Sequence, residues 1–325
     1  MKNINKITPY IAIVAAMLIW AGAGIAVKEA LVIFSPLTLI VMRFTLAVLL
    51  MMSIGLVFRH NSIVGLQRVE KKHIPLFLLG GLFQPFLYFI FETYTYQSFS
   101  SPTVAEALLS TQPVMAPLFA WVLLRERVTR NNILGILLST LGVMMLLMMG
   151  GGPLAMGDGA IGKGVLLAVL TVSMSVSYSV VLRRIPTQYS PLSIVFYVQS
   201  FALVRFWARW GISGIGDGLL GDEAIRLLGD SAMRLLGEGQ WVMSLLSVGY
   251  LAVLASVTAF ILFCYTVRQI GVTRANVFNN VRPVFTAILM WMIFGEILPI
   301  WKIIGIIIII IGLFISQKQE KGSKN

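Results

Sequence analysis

The sequence predicts an all-α protein that crosses a membrane ten times, built as two inverted repeats of five helices. Three observations predict it. Hydrophobic residues make up 58% of the 325 and charged residues only 12%, whereas a water-soluble domain carries roughly 25% charged residues; the mean hydropathy is +0.89. Ten apolar stretches approach the about 20 residues that a helix needs to cross hydrocarbon. The second half of the chain also repeats landmarks of the first at fixed offsets.

The stretches fall at 9–32, 36–57, 74–97, 102–124, 130–149, 162–183, 191–210, 241–267, 272–294 and 298–317. The basic start runs into an apolar stretch with no small-residue cleavage site, so it reads as a first span rather than a removed signal peptide. Most connections are short, which makes consecutive helices antiparallel neighbours. Residues 211–240 form an atypical outer loop: Leu-Leu-Gly recurs at 219, 227 and 235, a period that suits neither helical repeat, and each unit carries a helix-weakening glycine. The connector leaves span 7 only a short apolar run before Arg205. That span crosses if Arg205 and Arg209 snorkel outward beside Trp207 and Trp210.

An even number of spans puts both termini on one side. With the termini inside, 16 of the 25 basic residues lie on inner loops and ends, seven lie outside, and Arg43 and Arg282 fall within spans. The positive-inside bias therefore places both termini in the cytoplasm, in the inner (plasma) membrane of the cell. The net charge of +12 reflects these loops and not a nucleic-acid partner.

At an offset of 170, Thr103, Ala105, Pro113, Val114, Trp121, Glu126, Gly135, Ile136 and Gly142 meet identical residues from Thr273 to Gly312. An offset of 155 aligns Ser35-Pro36-Leu37 with Ser190-Pro191-Leu192. The repeats are 9–149 and 162–317. Five spans per repeat make the second enter the membrane from the opposite side, as in many secondary transporters, whose site lies between the repeats near the midplane.

With Trp20-Ala21-Gly22, Lys28 and Arg43-Phe44, this duplicated Ala…Pro…Glu…Gly…Gly pattern resembles EamA-type permeases of the drug/metabolite transporter superfamily. The resemblance covers nearly the whole chain. It implies ten helices with spans 3, 4, 8 and 9 lining a central cavity, spans 1, 2, 6 and 7 around it, and spans 5 and 10 at the periphery. It also implies export of small metabolites, amino acids or drugs.

Enzyme chemistry is excluded on residue grounds. All four aspartates (Asp158, Asp217, Asp222 and Asp230) fall in outer loops, and His60 and His73 flank one inner loop, so the spans cannot assemble a catalytic triad or metal ligands. The single cysteine, Cys264, excludes an intramolecular disulfide and a thiolate cluster. The glycines at 150–152 lack a following Lys-Ser/Thr, so there is no phosphate loop. No cofactor is expected.

The charges inside the spans are Arg43, Glu92, Glu106 and Arg282. Each costs roughly 2.5–3.5 kcal/mol to insert, so each faces protein or water. Helix rise places Arg43 about 10 Å, Glu92 about 7 Å and Glu106 about 6 Å below the outer surface, in one layer. Either Arg43 locks a glutamate for structure, or it holds one carboxylate ionised and leaves the other, Glu106 by preference, to take up and release a proton. Asn276, Asn279, Asn280 and Pro283 follow one helical face, with Arg282 beside them. Gln84, Tyr88 and Glu92 stack at intervals of four, Glu106 shares a face with Ser110 and Pro113, and Trp20 and Tyr178 sit at mid-depth. These residues read as a solute site or, for the asparagines, as helix glue.

The expectation is a secondary transporter of a small organic solute working by alternating access. Its partners are that solute and the lipid bilayer, with protons as candidate coupling ions and a second copy of the chain as a candidate partner. A nucleotide-sugar or phosphate-ester exchanger, and a non-transporting lipid scramblase or scaffold, stay open as alternatives.

Overall fold

The computed structural model describes residues 7–58, 65–99, 129–148, 160–213, 238–295 and 300–317, with Ala105, Leu108, Leu109, Gln112 and Trp121. Glu106, Ser110, Pro113 and most of the atypical loop lie outside the described residues. Every regular element among the described residues is helical, and six helices are long and apolar enough to cross a membrane. The helices are α1 (Thr8–Leu31), α2 (Pro36–Val57), α3 (Ile74–Gly81), α4 (Tyr88–Ser98), α5 (Arg130–Met148), α6 (Ala160–Arg184), α7 (Pro191–Ser213), α8 (Glu238–Tyr250), α9 (Ala259–Ile270), α10 (Val272–Val277), α11 (Arg282–Phe294) and α12 (Ile300–Gln317).

Local sequence explains the ends. Helix α2 starts at a Ser-Pro pair: the Ser35 side chain caps the Thr38 amide, and Pro36 occupies the first turn, where its missing N–H costs nothing. Helix α7 repeats the device 155 residues on, with the Ser193 amide donating to Ser190 Oγ at 3.2 Å. Two helices are interrupted midway by π segments, and a third, α10–α11, by the 3₁₀ turn Phe278–Val281. Between α3 and α4 the segment Leu82–Leu87 is a π turn in which Gln84 leaves helical geometry (φ −144°, ψ 118°), because the proline after it crowds the helical region and supplies no amide donor. Between α8 and α9 lies a second π segment, Leu251–Thr258. The 170 offset carries 82–87 onto 252–257, so the interruptions are equivalent.

Packing exchanges the halves in the same way. Helix α1 packs on α8, α9 and the second π segment, while α6 packs on α3, α4 and the first. Helix α2 packs on α7, and α5 on α12. A pseudo-two-fold that swaps the repeats produces this pattern. The α5–α12 pair shows it at atomic scale. A Cβ on Gly142 would stand 2.7 Å from the Gly305 carbonyl, and one on Gly312 would stand 2.7 Å from that of Gly135. Each contact is the other with the repeats exchanged. Small residues allow this approach where lipid tails offer no hydrophobic gain from association.

One end of the bundle is tied by polar bonds between segments 65–73 and 185–193. Tyr189 Oη accepts the Glu70 amide at 3.1 Å and lies 2.9 Å from His73 Nδ1. The Ser190 amide donates to Gln67 Oε1, and the Gln67 amide to Ser193 Oγ. Glu70 binds the Lys72 ammonium at 2.7 Å and accepts from Gln188. The Lys72 bond, and then the Gln188 bond, holds the Glu70 carboxyl below the usual carboxylate range.

Candidate functional site

Inside the bundle lies a cavity with about 450 Å³ of unfilled space, counted out to its mouth. Its walls come from α1, α2, α4, α6, α9, α11, the first π segment, the 3₁₀ turn Phe278–Val281 and Gln112. Seven of the residues singled out from sequence meet here: Trp20, Arg43, Gln84, Tyr88, Glu92, Asn279 and Arg282.

On one wall, Tyr88 Oη donates to Glu92 Oε1 at 2.6 Å. This is the expected contact between residues one turn apart on a helix. Arg43, 3% exposed, lines the same cavity. Its Nε donates to Ser256 Oγ at 2.6 Å, and its guanidinium lies 4.2 Å from the centre of the Phe89 ring, within cation–π range. Glu92 and Arg282 line the same cavity. Arg282 in turn stands 5.9 Å from the Trp20 ring. The arginines and Glu92 thus share one chamber.

The apolar wall is aromatic. Trp20 packs against Phe260 and Phe263 with ring centres 5.3 and 5.2 Å apart, and its indole N–H donates to the Ala255 carbonyl at 3.1 Å. An indole buried at mid-helix needs that partner.

The asparagine face divides. Asn279 lines the cavity and donates to the Asn276 carbonyl at 3.0 Å. Asn276 stands behind it: its Oδ1 accepts from Gln112, and its own amide donates to the Val272 carbonyl at 2.9 Å. Asn280 turns away toward α5, where its amide donates to Ser139 Oγ. The cause is the 3₁₀ turn Phe278–Val281. Tighter winding at 3.0 residues per turn splits a face that a 3.6 period would keep together. Tyr178 is fully buried against Phe260 and does not line the cavity; its hydroxyl finds no partner among the described residues.

Gln112 is a wall residue that the sequence reading passed over. Its Nε2 donates to Ser175 Oγ at 2.8 Å and also to Asn276 Oδ1, joining α6 to α10. The signal was present, since the 170 offset maps Gln112 onto Arg282. The 155 offset likewise maps Trp20 onto Ser175, also in the wall. Phe89, Tyr96, Phe260 and Phe263 carry no such mark. Among the described residues no group of His, Cys, Asp or Glu is arranged to hold a metal.

Comparisons with known proteins agree with this architecture. The chain matches the EamA-like transporter family twice, over residues 7–148 and 162–317. It is 26% identical over 318 residues to the uncharacterized transporter YcxC of Bacillus subtilis (strain 168), covering 97% of this chain and 95% of that protein. To the uncharacterized transporter YetK of the same organism it is 25% identical, covering 96% and 87%. A protein of Chlamydia muridarum (strain MoPn / Nigg), named an S-adenosylmethionine/S-adenosylhomocysteine transporter, is 24% identical across 93% of this chain and 89% of its own length. A solved crystal structure superposes with a TM-score of 0.68 at 20% identity, covering 96% of this chain and 97% of the other. That likeness shows the fold.

Proposed function

Because the chain belongs to the EamA-like transporter family of the drug/metabolite transporter superfamily, a family of multi-pass membrane transporters and not of enzymes, we propose that it carries a small amphipathic organic solute through the central cavity by alternating access. The membrane is crossed ten times by two inverted halves, with both termini cytoplasmic, and export is the favoured direction. The observation that carries the reading is the composition of one chamber: Glu92, Arg43 and Arg282 as charges, Gln84, Gln112 and Asn279 as amides, and Trp20, Phe260 and Phe263 as an apolar wall. Such a chamber suits a molecule with an amine, a carboxylate and an apolar body, as in amino acids and related metabolites or drugs. The adenosyl amino acids in the name of the Chlamydia relative belong to that class. Phosphate esters suit it less, because two arginines are the described cations of the wall and Glu92 shares that wall with them.

The polar end network supports alternating access. It ties segments from both halves, 65–73 and 185–193, through hydrogen bonds that can break and re-form. Glu106 remains the candidate proton-coupling group, with Glu92 held by Tyr88. The test is a thermal-shift screen of purified protein against a metabolite panel, followed by flux of the stabilising compounds in proteoliposomes. Saturable flux of at least one amphipathic amine or carboxylate is the expected result. A scaffold would move no solute.

A further inference from the structure

The two π segments occupy equivalent places in the halves but are held in different ways. Leu82–Leu87 contains Pro85 and the extended Gln84, so its own sequence breaks the helix. Leu251–Thr258 reads LAVLASVT, without proline or glycine. No helix breaker in that sequence asks for a π turn, a rare form that appears mostly as a bulge within α-helices. One local bond acts on it, Thr258 Oγ1 donating to the Val253 carbonyl at 3.1 Å; the buried side-chain donors are tertiary. Trp20 Nε1 donates to the Ala255 carbonyl at 3.1 Å. Gln199 Nε2 donates to the Ser256 carbonyl at 2.5 Å, and Arg43 Nε to the Ser256 hydroxyl at 2.6 Å. A carbonyl oxygen has two lone pairs, so it accepts a side-chain donor beside any backbone one. Three donors from α1, α7 and α2 thus converge on two successive residues, all of them buried. Trp20 and Arg43 also face the cavity, whereas Gln199 does not.

We infer that Trp20, Arg43 and Gln199 are a clamp that holds Leu251–Thr258 in its π form, and that this segment is a hinge that rewinds to α-helix when the clamp opens. Gln199, remote from solute, is a positioning residue: it sets the cavity wall through the hinge. A register change of one residue turns the chain beyond it by about 100°, from 3.6 residues per turn. Phe260 and Phe263 come directly after the hinge, so such a turn swings them off the Trp20 ring. A solute that takes the indole N–H or the guanidinium withdraws a donor from the hinge, which links occupancy to wall geometry. The hinge's part in a solute cycle rests on the transport reading; the clamp does not.

The experiment is backbone hydrogen exchange on the purified full-length protein, wild type against Gln199→Leu, with Trp20→Phe as the second variant. Gln199→Leu keeps the volume and removes an Oε1 that has no partner among the described residues, so the fold tolerates it. Amides of 251–258 should exchange about two- to tenfold faster, as expected for one hydrogen bond lost, while those of α6 stay unchanged. Cys264, the single cysteine and fully buried beyond the hinge, should react faster with a maleimide. Unchanged exchange at 251–258 in both variants, or an equal rise in α6, overturns the clamp. Flux on the same preparations separates the two readings: a wild type that moves no solute overturns transport, and the exchange rates still decide the clamp.

Discussion

Gln112 and Arg282 stand 170 positions apart, at equivalent places in the two halves, and both face the central cavity. The repeat therefore delivers an amide and a guanidinium to one chamber from the same helical position. Duplication built the frame, and divergence at paired positions made the chamber chemically asymmetric.

Topology is the first expectation. A reporter fused after Asn325 should report from the cytoplasm, and a tag at Gly216 should be reached from outside without permeabilisation. The basis is the basic bias of 16 inner to seven outer residues together with the even number of spans that the sequence predicts. Labelling at Gly216 only after permeabilisation would reverse the assignment of sides.

Glycine at the α5–α12 crossing is required by contact with backbone. A Cβ on Gly312 would stand 2.5 Å from the Ser139 amide nitrogen and 2.7 Å from the Gly135 carbonyl, neither of which can move without moving a helix. Gly312→Ala should lower the melting temperature by several degrees. Gly249 has nothing within 4 Å of a built Cβ, so Gly249→Ala should be neutral or gain up to about 1 kcal/mol from helix propensity. Equal melting temperatures for the two variants would contradict the crossing.

Asn279 and Asn280 should behave oppositely. Asn280→Ala removes the bond to Ser139 and should cost stability of about 0.6 kcal/mol, up to about 1.7, the range for interhelical polar contacts in membranes, with solute affinity unchanged. Asn279→Ala should weaken affinity severalfold with little change in melting. A drop in affinity for Asn280→Ala at full stability would return that residue to the solute face.

The adjacency of these asparagines shows where the sequence was legible and where it was not. Hydropathy located helices such as α1 and α2 to within a residue or so, because lipid imposes length and apolarity along the whole element. Repeat offsets were legible too, since Ser-Pro caps and crossing glycines are set by local geometry that both halves need. The asparagine face followed a 3.6 period, and a 3₁₀ turn at Phe278–Val281 divided it. The second π segment leaves little mark in LAVLASVT because, Thr258 apart, its side-chain donors come from Trp20, Arg43 and Gln199, far away in the chain. Tertiary donors, unlike proline, are invisible in a window of sequence.

Proton coupling, if Glu106 carries it, has a specific signature. Glu92 is bonded by Tyr88 and lines the chamber with Arg43, which leaves Glu106 as the carboxylate proposed for proton exchange. Glu106→Gln should abolish flux driven by a pH gradient while solute exchange without a gradient persists. Arg43→Ala should instead lower stability, because it strips the Ser256 hydroxyl and the Phe89 face of their buried partner. An unchanged pH dependence in Glu106→Gln would point to exchange or facilitated diffusion.

On the proposed function, the chamber bounded by Trp20, Glu92, Asn279 and Arg282 carries the solute. Its most direct measurement is counterflow in proteoliposomes, using the compound that most stabilises the purified protein, for wild type and Asn279→Ala side by side. The wild type should show saturable counterflow, with a half-saturation concentration raised severalfold in Asn279→Ala at equal protein incorporation. Flux no faster than in empty liposomes, or identical saturation in the two proteins, would contradict it.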